Sequence, residues 1–205
     1  FIVALRDPVD LLVSYHRTQL VALNETERDF ASAWRRSLSG EPPATTPLDV
    51  KLVDYRRVGR LGAAMQRLLT TAPRQDVHVV YLDRLVKEPG STWHDLATFL
   101  RLSAQFTPDF EAHNPSDKMY RSPVLRRLTH RPPGLVAGPV RRLRQWSRTT
   151  DHAWVAQAKR SMWRREPRPL ITEETRREVA TELRDDVGLL AEVLKTDLSH
   201  WARIG

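Results

Sequence analysis

The residues best suited to chemistry lie near the start of the chain, in the stretch RDPVDLLVS. Arg6 follows five consecutive apolar residues, and Ser14 stands eight positions after Arg6. A guanidinium group can hold a phosphate-like anion through two parallel hydrogen bonds, and a hydroxyl group adds a further donor beside it. The pattern therefore indicates a site for an anionic ligand.

A strand, a tight turn and a helix are predicted around these two residues. The apolar run at 1–5 is short and contains β-branched residues, which predicts a strand buried on both faces. Asp7 is a favourable N-cap residue and Pro8 suits the first helical position, so a helix is predicted from Pro8 to about Ala22. Arg6 would then lie at the carboxyl edge of a strand, where ligands bind in parallel α/β sheets.

Predicted strands and helices alternate along the rest of the chain. Helical patterns cover 24–30 and 31–39, and Thr46 or Asp49 precedes a further helix. A second strand is predicted at 77–82. This alternation favours a parallel α/β sheet with right-handed crossovers. The apolar residues of that further helix have helical spacing: Tyr55, Val58, Leu61, Met65, Leu68 and Leu69.

Two more helices are predicted after the second strand. In the first, Pro89 and Gly90 form a turn and Ser91 caps the helix. The second is a long amphipathic helix near the end of the chain, with acids in its first turn. The side chains expected to be buried are Trp93, Leu96, Phe99 and Leu100 in the first helix, and Ile171, Val179, Leu183, Val187, Leu190 and Leu194 in the second.

Composition limits the class of protein. The chain has 205 residues, 40% of them hydrophobic and 28% charged, which is typical of one globular domain. No apolar run approaches the length of a membrane span. Cysteine is absent, so there is no disulfide framework and no thiolate metal site, and we expect a reducing, cytoplasmic location. Because Phe1 already belongs to a predicted buried strand, we expect an amino-terminal segment to be lacking.

The chain carries a net charge of +8, and many of its arginines lie between Arg121 and Arg168. Such an excess of positive charge favours an anionic partner, whether a nucleotide, an acidic glycan or a nucleic acid. Trp146, Trp154 and Trp163 are interleaved with these arginines. Their spacings of eight and nine residues are close to whole helical turns, which favours core anchors of helices over base-stacking platforms.

Arg6, Pro8, Asp10 and Ser14 resemble part of the cofactor signature of sulfotransferases that use 3'-phosphoadenosine 5'-phosphosulfate (PAPS). The resemblance implies that Arg6 and Ser14 hold the 3'-phosphate of the cofactor. It also implies an α/β fold with three α/β/α layers around a central parallel sheet, similar to P-loop kinases, with a helical carboxyl-terminal part. The implied reaction moves a sulfuryl group to a hydroxyl or amine of a small molecule or glycan, in a protein of bacterial type.

Two more stretches resemble the same family, 77–102 and 189–201. In the first, Asp83 stands at a family Glu, while Leu82 occupies the position of a Tyr that contacts adenine in cytosolic members. Between the two stretches, Asn114, Ser116, Arg121 and Ser122 resemble a basic loop of the family. This resemblance implies that Lys118 and Arg121 contact the cofactor. The resemblance therefore describes residues 1–205 as a single sulfotransferase domain that lacks its first strand and phosphosulfate-binding loop.

The sequence leaves the catalytic residues unassigned. No glycine-rich phosphate loop is present, no metal-binding histidine spacing occurs, and His16 is interpreted as a packing residue. The acceptor and the oligomeric state are open. A sulfotransferase would need no nucleic-acid partner. Two alternatives remain: a non-enzymatic basic module that binds nucleic acid or acidic glycan, and an ATP-using relative of the P-loop kinases.

Overall fold

The structure is a computed structural model, and it describes residues 1–103, 108–110, 118–120, 138, 142, 145, 146, 163–165 and 170–201. The chain divides into two compact units. The first comprises Phe1–Val13, Tyr55–His113 and Ile171–Gly205, and the second comprises Ser14–Asp54 and Asn114–Leu170. The elements used below are β1 (Ile2–Leu5), α1 (Pro8–Val21), α2 (Phe30–Ser39), α3 (Tyr55–Gly59), α4 (Leu61–Thr71), β2 (His78–Tyr81), α5 (Leu82–Lys87), α6 (Pro89–Phe99), β3 (Lys118–Tyr120), β4 (Trp163–Arg165) and α7 (Glu173–Leu194).

The first unit contains a parallel pair of strands. β1 and β2 run side by side, from the pair Ile2 and His78 to the pair Leu5 and Tyr81. This confirms both predicted strands to within about a residue. The prediction that β1 is buried on both faces is wrong for the described residues, because Ile2 is 52% exposed. The core cluster takes Val3 and Leu5, so only alternate side chains of the strand are covered.

The core of the first unit lies between the strand pair and two helices. α4 and α7 pack against each other, and their apolar side chains share one cluster with Leu5 and Trp201. α7 begins where the Thr172 hydroxyl accepts the backbone N–H of Thr175. The predicted amphipathic helix is confirmed, and its buried residues are Thr175, Val179, Leu183, Val187, Leu190 and Leu194.

One predicted helix is two helices in the structure. α3 ends at Gly59 and α4 begins at Leu61, where a single helix was predicted from the apolar spacing. The carboxylate of Asp186, on α7, accepts the backbone N–H groups of Gly62 at 2.7 Å and Ala63 at 3.0 Å. These donors are therefore satisfied by a distant side chain, which lets a new helix begin at this point.

α6 also begins earlier than predicted. Pro89 lies in its first turn, and the cap position is Glu88. A proline at the start of a helix loses no intrahelical hydrogen bond, which explains why the turn predicted at Pro89 is helical instead. The buried residues of α6 are Thr92 and Ala97, whereas Leu100, which was expected to be buried, is 41% exposed.

The second unit contains most of α1, then α2, and the antiparallel pair of β3 and β4. The helix predicted at 24–30 is wrong, because residues 24–29 form a loop. The buried carboxylate of Glu25 accepts the backbone N–H groups of Thr26 and Glu27, so these donors are not available to a helix. α2 then begins at the Asp29 cap and ends at Gly40, which has a positive φ.

Two tryptophans of the basic segment, Trp146 and Trp163, are not the helical core anchors that we predicted. Trp146 is 41% exposed, and Trp163 lies in β4. Trp154 lies outside the described residues. The α/β class is confirmed by the helices and the parallel strand pair, while the three-layer arrangement remains a prediction. Within the described ranges, no helix is both long and apolar enough to cross a bilayer.

Candidate functional site

The turn between β1 and α1 has the predicted local structure. Oδ1 of Asp7 accepts the backbone N–H groups of Val9 at 2.7 Å and Asp10 at 3.3 Å, which confirms Asp7 as the N-cap. Because β1 and β2 are parallel and end in register, Arg6 and Leu82 follow them at the same edge of the sheet. A helix thus begins at the carboxyl edge of a parallel strand, a favourable place for an anion.

Arg6 is the cation of this turn. Its side chain is 20% exposed, and one terminal nitrogen, Nη2, lies 3.8 Å from Oδ2 of Asp10. Its Nε atom is buried and has no hydrogen-bond partner among the residues that the structure describes. A buried donor without a partner costs free energy, and an anionic oxygen would satisfy it. Arg6 therefore fits the role of a phosphate ligand.

A second arginine approaches Asp10 from α7. Nη2 of Arg176 donates to Oδ1 of Asp10 at 3.0 Å. Arg176 was not predicted from the sequence, since a contact between residues 166 positions apart leaves no local pattern. Its only signal in the sequence is its residue type and its place in the first turn of a predicted helix, a turn that also carries the acids Glu173 and Glu174.

Asp7 titrates differently from an exposed carboxyl. Burial raises the pKa of Asp7 above its ordinary value, and the charge of Asp10 adds to that increase. The capping N–H groups and Arg176 lower the pKa, but they compensate only in part. The partly buried carboxyl of Asp7 thus serves as the N-cap of α1.

Of the other predicted site residues, Ser14 is half-buried in α1. Its carbonyl oxygen accepts the hydroxyl of Thr18 at 3.2 Å. Lys118 is the first residue of β3. Arg121 lies outside the described residues.

The end of β2 differs from the prediction. Leu82 is the first residue of α5 rather than the last of the strand. The alternation of side chains along a strand therefore does not determine which way the Leu82 side chain points. Tyr81 packs edge-on against Trp201, with 6.2 Å between ring centroids. Oδ2 of Asp83 accepts Nε1–H of Trp201 at 3.3 Å and lies 3.6 Å from Nε2 of His200. The segment at 200–201 is thereby attached to Asp83, just after the carboxyl end of β2.

An open cleft of about 240 Å³ lies beside this attachment. Its wall carries both acidic and basic side chains, and Arg84 is already paired with Asp95 at 2.9 Å. The lining residues are Tyr81, Asp83, Arg84, Lys87, Glu88, Thr196, Asp197, Leu198 and His200.

His16 has the structural role that was predicted for it. The residue is buried, its Nε2 lies 2.8 Å from the carbonyl oxygen of Glu27, and its ring packs edge-on against Phe30. Burial lowers the pKa of His16 below its ordinary value. A neutral imidazole packed in this way supports the second unit.

Comparison with known proteins identifies the fold. No protein-family model matches the chain, and no curated protein matches its sequence. Among solved structures, a sulfotransferase from Alicyclobacillus acidocaldarius is similar, with a TM-score of 0.60 and 19% sequence identity. The alignment covers 98% of this chain and 57% of that one, so the chain spans little more than half the length of the matched protein. The chain therefore has a sulfotransferase-like fold.

Proposed function

We propose that the protein is a sulfotransferase that uses PAPS and transfers its sulfuryl group to a hydroxyl or amine of a small molecule or glycan. The observation that carries the proposal is the partly buried Arg6, with an unsatisfied Nε among the described residues, at the carboxyl edge of a parallel strand. The sulfotransferase-like fold supports the same assignment.

In this proposal Arg6 holds the 3'-phosphate of the cofactor through its forked donors, and Ser14 adds a hydroxyl donor. The start of α1 contributes the positive end of the helix dipole. Lys118 and Arg121 are proposed to contact the cofactor from the basic segment. The roles of these four residues rest on the resemblance of their motifs, and of the order of those motifs along the chain, to PAPS-dependent sulfotransferases.

In the proposed reaction, the acceptor oxygen or nitrogen forms a bond to sulfur while the bond from sulfur to the 5'-phosphate oxygen breaks. The acceptor loses its proton to a base, and 3'-phosphoadenosine 5'-phosphate (PAP) leaves with the electron pair. The cofactor supplies the activated sulfuryl group. The protein contributes by aligning the reactants and stabilising the charged oxygens.

The proposal is tested first by the effect of Arg6→Ala on nucleotide binding. PAP should raise the melting temperature of the wild-type chain, because a ligand that binds only the folded state stabilises it. Arg6→Ala and Ser14→Ala should reduce this increase, Arg6→Ala the more strongly. Arg67→Ala, which removes an exposed arginine from α4, is the matched control and should behave as wild type.

An equal response of the wild-type and Arg6→Ala proteins to PAP would contradict the proposed site. A response to 5'-AMP as large as that to PAP would contradict recognition of the 3'-phosphate. Circular dichroism of each unliganded variant checks that the substitutions leave the fold intact.

A further inference from the structure

Two arginines share one carboxylate at the start of α1. Oδ2 of Asp10 faces Nη2 of Arg6 at 3.8 Å, and Oδ1 accepts a hydrogen bond from Nη2 of Arg176 at 3.0 Å. The two guanidinium groups come from elements that are far apart in sequence, the end of β1 and the first turns of α7. Asp10 therefore brings two cations to one place.

We infer that Arg176 is the second cation of the 3'-phosphate site and that Asp10 positions the two guanidinium groups for it. The inference rests on the proposed function, since it concerns the same phosphate. A phosphate monoester carries about −1.5 to −2 charges at neutral pH, which one arginine cannot balance. Two arginines beside each other match that charge better.

The exposure of the three groups suits a ligand that arrives from solvent. The side chains of Arg6, Asp10 and Arg176 are 20%, 47% and 37% exposed, respectively. They are thus partly shielded from water, which strengthens charge recognition, and a nucleotide can still reach them.

Other charged groups near the cluster are already engaged or well hydrated. Asp7, Glu173 and Arg177 line a small cavity with Arg176. Asp7 accepts the N–H groups of α1. Glu173 and Arg177 are exposed, so solvent and salt screen them. The start of α7 adds its own dipole on the side of Arg176.

A simpler explanation is that Arg176 only attaches α7 to α1. An ion pair with this exposure contributes little to stability. An attachment alone would affect unfolding and leave the preference for PAP over 5'-AMP unchanged. A role in phosphate binding would change that preference. The ratio of the two dissociation constants therefore separates the explanations.

The test is isothermal titration of the full chain with PAP and with 5'-AMP. We expect Arg176→Ala to lower the preference for PAP by about tenfold, the value of one charge-assisted hydrogen bond, with 5'-AMP binding unchanged. Arg176→Lys keeps the charge without the fork and should recover part of the preference. Arg184→Ala removes an exposed arginine of the same helix and should have no effect.

Arg176→Gln keeps a donor for Asp10 without the charge, and it replaces Arg176→Ala if that variant does not fold. If Arg6→Ala loses the preference and the charge-removing variant of Arg176 retains it, the inference is overturned while the proposed function stands. If the wild-type protein shows no preference for PAP, both are overturned.

Discussion

At the scale of single residues, burial determines how the titratable groups behave. His16 and Glu25 are both almost fully buried in the second unit, yet they are held in different ways. Glu25 is paired with Arg36 and accepts two backbone N–H groups, and despite its burial its pKa is lowered. His16 faces a carbonyl oxygen and an aromatic ring, and burial lowers its pKa.

The lowered pKa of His16 predicts a pH-dependent stability. Between the folded pKa and the ordinary value of 6.5, the unfolded chain binds more protons than the folded chain. The stabilisation is therefore complete above pH 6.5 and is lost as the pH falls through the folded pKa. We expect the free energy of unfolding in urea to decrease from pH 7.5 to 5.5, with a His16 contribution of at most about 1.4 kcal/mol per pH unit.

His16→Gln, which can still donate to the carbonyl of Glu27, should flatten this dependence. His94→Gln is the control, because His94 is exposed on α6 and its replacement should leave the slope as in wild type. An unchanged slope in His16→Gln would show that other groups cause the pH dependence. Glu25 and Asp29, whose pKa values are also lowered, titrate in a more acidic range.

Residue chemistry at the site was predictable where it depends on neighbours in sequence. Arg6, the Asp7 cap and the start of α1 all belong to one short stretch, and the sequence indicated all three. Arg176 was not predictable, because its partner Asp10 lies in another part of the chain. Leu82 was predicted to lie in the strand but lies in α5, since β2 ends one residue before its apolar run does.

At the scale of elements, the contact between α4 and α7 holds the first unit together. α4 has no side-chain cap of its own at its start. Asp186 of α7 supplies the missing acceptors, and Gly62 allows the two backbones to approach closely. Periodicity alone predicted the apolar faces of both helices, but the interruption at Arg60 depends on this tertiary contact.

Gly62→Ala is expected to destabilise the protein. An added Cβ would lie 2.2 Å from the carbonyl oxygen of Asp186 and 2.9 Å from the backbone nitrogen of Leu190, and neither backbone atom can move aside alone. We expect a loss of at least about 2 kcal/mol in the free energy of unfolding, measured in urea.

Gly188→Ala on α7 is the matched control. Its Cβ would meet nothing within 4 Å, so the gain in helix propensity should stabilise the protein by about 0.5–1 kcal/mol. Equal effects of the two substitutions would contradict the close approach of α4 and α7.

At the scale of the whole molecule, the sequence predicted the α/β class and the family likeness of the fold better than it predicted the individual boundaries. The parallel pairing of β1 and β2 followed from alternation of strands and helices. The loop at 24–29 did not, because its buried polar contacts override a helical pattern. The matched sulfotransferase shares 19% identity, so the fold persists where few residues agree.

The net charge of +8 is also a property of the whole molecule. It favours association with any polyanion, and that general attraction weakens steeply as salt is added. A specific phosphate site with partly buried arginines should keep its preference among nucleotides when salt rises. Selectivity, rather than affinity, is therefore the property that distinguishes a cofactor site from a basic surface.

The most direct test is isothermal titration of the wild-type chain with PAP and with 5'-AMP at physiological ionic strength. These ligands differ only in the 3'-phosphate that Arg6 is proposed to hold. We predict that PAP binds at least about tenfold more tightly, because the 3'-phosphate adds charge-assisted hydrogen bonds. Equal affinity for the two nucleotides, or no binding of either, would contradict the assignment of the β1–α1 turn as a 3'-phosphate site.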